Sequence, residues 1–153
     1  MQLSGIYLGL GEPALGELLK SISIGKLKTF QLYERMKLRL RLNKVNSETL
    51  RRSSSQLWPR LQEGDEELAA ELAQAVLVSH LDLIVAVLNF LQIPHQDGFF
   101  AKDIDASQYL REGWQARVYE RFRGEFPEKT LLFYVNHLAW ELTKSGEVFA
   151  PAA

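Results

Sequence analysis

Intervals of three and four residues dominate the spacing of apolar side chains in this sequence. Leu15, Leu18, Leu19 and Ile22 fall at i, i+3, i+4 and i+7 behind Pro13, a residue suited to a first helical turn, and they predict a short helix from about Glu12. Leu110, Trp114, Val118 and Phe122 then recur every four residues. A further helix is predicted from Pro127, with Leu131, Val135, Leu138 and Leu142 on one face and Gly146 placed to end it. Between these lies DEELAAELAQAVLVSHLDLIVAVLNFLQI, which opens with acidic residues and stops before Pro94. Acidic groups oppose the positive end of the helix dipole, so the run reads as one central helix over about 65–92. At 1.5 Å per residue it would be about 42 Å long. Its second half is apolar almost all round, the mark of a helix enclosed by others.

One stretch conflicts with itself. MKLRLRLNKV, residues 36–45, alternates apolar and basic side chains with the period of a strand, yet Leu, Met, Lys and Arg favour helix. Plotted at 100° per residue, Leu27, Phe30, Leu38, Leu42 and Val45 share one face and Leu32, Tyr33, Met36 and Leu40 the opposite one. Basic residues fill the flanks, where their methylenes can cover apolar neighbours. A strand would need a partner, and IYLGL near Ile6 is the one segment that offers it, so the stretch is read as helix. Asn46 and Ser47 start the next helix, and the serines and Pro59 of LRRSSSQLWPRL predict a break or kink. The expected fold is all-α: a single compact bundle of about five to seven helices spanning 1–153, with a loosely ordered tail over 147–153.

Composition agrees with this picture and narrows the chemistry. A chain of 153 residues, 46% hydrophobic and 24% charged, is one ordinary domain in size and buries roughly 70% of its unfolded surface. With no cysteine, disulfides, thiolate catalysis and thiolate-held metals are excluded. The opening MQLSGIYLGLGEP has no basic leader and no apolar run of signal length, so a cytoplasmic location is expected. Asp82 near the middle of the longest apolar stretch argues against a membrane span.

Charge is unevenly spread along the chain. Residues 20–60 hold eleven Lys or Arg and two acidic residues, whereas 61–153 hold seven basic and fifteen acidic ones. Such separation can bind a polyanion, be compensated within the fold, or join copies or partners. The leading expectation is an interaction or assembly module without enzymatic activity, whose partner is another protein or a second copy. The alternative is a nucleic-acid-binding helical protein using the basic 26–60 segment, with Lys37, Arg39, Arg41, Lys44, Arg51, Arg52, Trp58 and Arg60 as contacts. A second alternative places a small ligand or metal beside the central helix.

For that last reading the sequence offers His80, Asp82, Asn89, His137 and Glu141. His137 and Glu141 share a helix face, and Ser79, Asp82, Ala86 and Asn89 form a stripe of small and polar residues. Buried there, Asp82 would require an arginine or His137 as partner. The spacings match neither HExxH nor the ExxH of di-iron bundles, and the oxygen-bearing run from Asp103 lacks the glycine and terminal carboxylate of a calcium loop. No cofactor or metal is expected, and Asp105 or Ser107 is assigned to capping the next helix. No nucleophile elbow or glycine-rich phosphate loop is present.

Overall fold

The computed structural model describes residues 2–29, 34, 36, 45–143 and 147–151. The chain is mostly helical, as the apolar spacing predicts. It divides into two compact units, Gln2–Ser79 and His80–Ala153.

In the first unit the described helices are α1 (Ser4–Leu10), α2 (Glu12–Ser21), α3 (Ile24–Thr29), α4 (Ser47–Arg52), α5 (Ser54–Gln62) and α6 (Glu66–Ser79). The segment IYLGL is helical and not the strand partner that the alternating stretch would have needed. Its start is completed from far along the chain: the Glu66 carboxylate accepts the N–H groups of Leu3 at 2.6 Å and Ser4 at 3.0 Å. Those are donors that a helix cannot satisfy within itself. Gly11 follows at φ 98°, donating to the Tyr7 carbonyl behind it and accepting from Leu15 ahead. That conformation, open to glycine at little cost, lets α1 end and α2 begin at one residue.

Pro13 lies in the first turn of α2, and Leu15, Leu18, Leu19 and Ile22 are all buried, as predicted. Leu27, Met36, Leu50, Leu57, Leu61 and Leu68 join them, each 1% exposed or less. Tyr7 enters this core with its hydroxyl donating to the Ala69 carbonyl at 2.8 Å. Asn46 caps α4 as expected: its side chain accepts the Thr49 N–H at 3.0 Å, and Thr49 Oγ1 accepts the Asn46 N–H at 2.8 Å. The break foreseen in the serine run falls at Ser53, and Pro59 lies within α5.

The expected central helix over about 65–92 is two helices. The chain leaves helical geometry at His80, φ −133° and ψ 46°, and resumes as α7 (Leu81–Phe90). Seven residues after Ala75, Asp82 would have continued the buried face of Leu68, Leu72 and Ala75 had the helix run on. An unpaired buried carboxylate is costly. Restarting the helix puts Asp82 in a first turn, exposed, where the dipole favours it.

The second unit continues with strands β1 (His95–Gln96) and β2 (Phe99–Phe100), a 3-10 helix (Ala106–Tyr109), α8 (Trp114–Phe122) and α9 (Glu128–Thr143). Its core gathers Leu83, Val87, Leu88, Ile93, Trp114, Val118 and Phe122 with most of α9. Phe90 packs edge-on against Phe122, with centroids 5.7 Å apart. Asp105 caps the 3-10 helix, accepting from the Ser107 N–H at 3.1 Å. Phe149, in the described part of the tail, is tied to α9. Buried Asn136 accepts the Phe149 N–H at 2.6 Å and donates to the carbonyls of Phe149 and Leu132. The Phe149 ring meets Tyr119 at 6.3 Å. A buried amide needs such partners, and the tail supplies two of the three.

Candidate functional site

Lys37, Arg39, Arg41 and Lys44 lie outside the described residues. The rest of the basic group is engaged by carboxylates. Arg51 hydrogen-bonds Glu48 and is also an ion partner of it, and Arg52 reaches the same carboxylate at 3.4 Å. These are exposed helix-surface pairs, screened by water and weak as anchors of the fold. Arg60 is more committed: its guanidinium holds Asp65 Oδ2 at 3.0 Å and donates to the Met36 carbonyl at 3.0 Å. Asp65 in turn accepts the Leu68 N–H at 3.0 Å and caps α6. Trp58 is half-buried.

The charge asymmetry of the linear sequence is reduced in space. Residues 2–79 carry eleven basic and nine acidic side chains, and 80–153 seven and ten. The acidic start of α6 folds into the same unit as the basic segment, and Arg60–Asp65 joins the two directly.

Among the ligand candidates, His137 is buried and Glu141 exposed, with Nδ1 to Oε2 at 3.7 Å across one helical turn. The imidazole sits between the Phe133 and Trp140 rings, at 5.8 and 5.7 Å. The two rings pack against it, and Glu141 is an acidic neighbour. His80 occupies the turn between α6 and α7. Asp82 and Asn89 are exposed and Ala86 half-buried, so the polar stripe of α7 runs along its exposed side. Among the described residues, no three His, Asp or Glu side chains are grouped to hold a metal ion, and no single helix is long and apolar enough to cross a membrane.

One surface feature with a defined geometry is the hairpin β1–β2. His95 pairs with Phe100 and Gln96 with Phe99, joined by Asp97 and Gly98 at φ 52° and 92°. Two positive φ values in a two-residue loop match the twist of the flanking strands, which is why Asp-Gly suits this turn. The imidazole of His95 locks it from beneath. Gly98 N–H donates to Nδ1 at 3.1 Å, so in the neutral ring the proton sits on Nε2 and donates to Asn89 Oδ1 at 2.7 Å. The exposed Asn89 of α7 thereby has a defined task. A Cβ on Gly98 would stand 3.3 Å from Ile84 Cγ2, so the turn lies directly on α7.

Held on this support, Phe99 is 73% exposed, while Leu81 and Phe90 of the same unit are near 40%. The Asp-Gly pair was the one sequence signal for this element. Which of Phe99 and Phe100 turns outward depends on the register, which composition does not disclose.

Comparison with known protein families, curated proteins and solved structures finds no match for this chain.

Proposed function

We propose that this chain is a non-enzymatic assembly module that joins a second copy through the hairpin of its 80–153 unit. The observation that carries the reading is Phe99, 73% exposed on a turn held by His95 and Gly98. Leaving a large aromatic ring in water forgoes about 1.5–3 kcal/mol of burial. A pre-ordered support means that little freedom is lost when the ring is covered.

A second copy fits as the partner because the chain is nearly neutral, net −1, so copies repel each other weakly. In a two-fold contact each hairpin would meet the same surface on its partner, and every apolar anchor would count twice. Sedimentation velocity over a concentration series up to about 100 µM tests the reading, a range suited to micromolar association. Dimer is expected for the natural chain and monomer for Phe99→Ser, with unchanged helicity and melting temperature in the variant. A natural chain that stays monomeric throughout, or a variant that dimerises equally well, overturns the proposal.

A further inference from the structure

Seven arginines lie among the described residues, and five of them face a carboxylate: Arg51, Arg52, Arg60, Arg121 and Arg123. Arg111 and Arg117 differ. Among the described residues neither is within ion-pair distance of an acidic group, and Arg117 instead donates to the Glu112 carbonyl at 2.8 Å. Both line one cleft of about 450 Å³ in the 80–153 unit. Phe90 and Gln92 enter it from the end of α7, and Gln108 and Tyr109 from the 3-10 helix. In a chain whose other described arginines are neutralised, the two that are not therefore share a cavity with aromatic rings and carboxamides.

The α7 end adds a second, independent observation. Ile93 N–H bonds the Leu88 carbonyl at 3.0 Å and Gln92 N–H bonds the Asn89 carbonyl at 3.1 Å. That is the pattern in which a helix closes through a left-handed residue, a place usually taken by glycine. Here it is Gln92, at φ 60°, a conformation that strains any side chain bearing a Cβ. Glycine would close the turn at lower cost but would remove one of the cleft's two carboxamides, leaving Gln108 alone. A strained residue of this kind is a mark of functional sites.

We propose that this cleft binds a nucleoside monophosphate. The two guanidiniums suit a phosphate, which they can hold through paired N–H donors. Phe90, crossed at 79° to Phe122 and still 40% exposed, and Tyr109 offer rings against which a base can stack. Gln92 and Gln108 each present a donor and an acceptor, the pairing that reads the edge of a heterocycle. The volume lies within the range of small-ligand sites, about 300–1,000 Å³. None of this depends on Phe99 or on assembly.

The test is calorimetric titration of the full chain at low salt with AMP, GMP, CMP and UMP. Inorganic phosphate and adenosine serve as probes of the two halves of the ligand. At least one nucleotide is expected to bind about tenfold or more tightly than either half. R111Q and R117Q should each weaken that binding by about tenfold, while R121Q, outside the cleft, leaves it unchanged. Q92G supplies a variant whose folding is not at risk: it should melt higher and bind more weakly. Absence of nucleotide binding at millimolar concentration overturns the proposal. So does binding that R111Q and R117Q leave intact, or phosphate alone binding as tightly as the nucleotide.

Discussion

Asp82 shows how much of a residue's role depends on whether its helix continues. On an unbroken helix it is a buried carboxylate that demands a cation; after the break at His80 it is an exposed acid in a first turn. The two placements have different energetic consequences. Removing a partner from a buried pair costs about 3–5 kcal/mol, whereas an acid at an exposed helix start is worth about 0.3–1 kcal/mol. Asp82→Ala is therefore expected to lower stability by no more than about 1 kcal/mol in urea unfolding. A loss near 3 kcal/mol would refute the exposed placement. The sequence disclosed Glu141 as a neighbour of His137, because a spacing of four on a continuous helix leaves little freedom, but not the Phe133 and Trp140 rings that flank it. It disclosed Arg111 and Arg117 poorly. They are single cations separated by six positions across a loop and a helix start, and what distinguishes them is the lack of a carboxylate partner among the described residues.

Helices with a clear period were legible from sequence, and their ends less so. Leu15 to Ile22 became a buried face as predicted, and of the set Leu110, Trp114, Val118 and Phe122 the last three did, while half-buried Leu110 ends the preceding 3-10 helix. The break at Ser79 and His80 was hidden because the polar residues around it, Ser79, Asp82 and Asn89, fall at spacings that one unbroken helix also accommodates as a stripe. Ser79 helps to end α6 by directing its hydroxyl to the Ala75 carbonyl at 2.8 Å while accepting the Ser23 N–H at 2.9 Å. The hairpin was not foreseen: its one signal, Asp97-Gly98, stands between flanks too short to register as strands. Its dependence on that glycine is testable. At φ 92°, with a Cβ only 3.3 Å from Ile84, alanine meets both backbone strain and a crowded neighbour. Gly98→Ala should cost about 1–2 kcal/mol and lower the melting temperature, and because it displaces Phe99 it should also weaken dimerisation. An unchanged or raised melting temperature would show that the turn does not rest on α7.

Across the whole molecule, each of the two units buries a tyrosine whose ionisation opposes folding. Tyr7 in the 2–79 unit is 1% exposed, and burial together with the nearby Glu66 charge raises its pKa well above the ordinary value of 10.0. Tyr134 in the 80–153 unit is 4% exposed and is raised in the same way, by burial and then by Glu141. A raised folded pKa means that the native state keeps its proton after the unfolded chain has released it. The associated stability is fully present below about pH 10, the unfolded value, and is lost as pH climbs from there toward the folded one. Other groups also titrate in this range, so a difference between two proteins isolates the effect. Tyr7→Phe removes the bond to the Ala69 carbonyl and should cost about 1 kcal/mol at neutral pH. It also removes the ionisable group, so the variant loses less as pH rises. Urea unfolding of both proteins from about pH 8 to 11, spanning the ordinary phenol value, should show the gap narrowing above pH 10. A gap that stays constant over that span would mean that the Tyr7 phenol ionises as readily in the native state as in the unfolded chain, and would contradict its burial against Ala69.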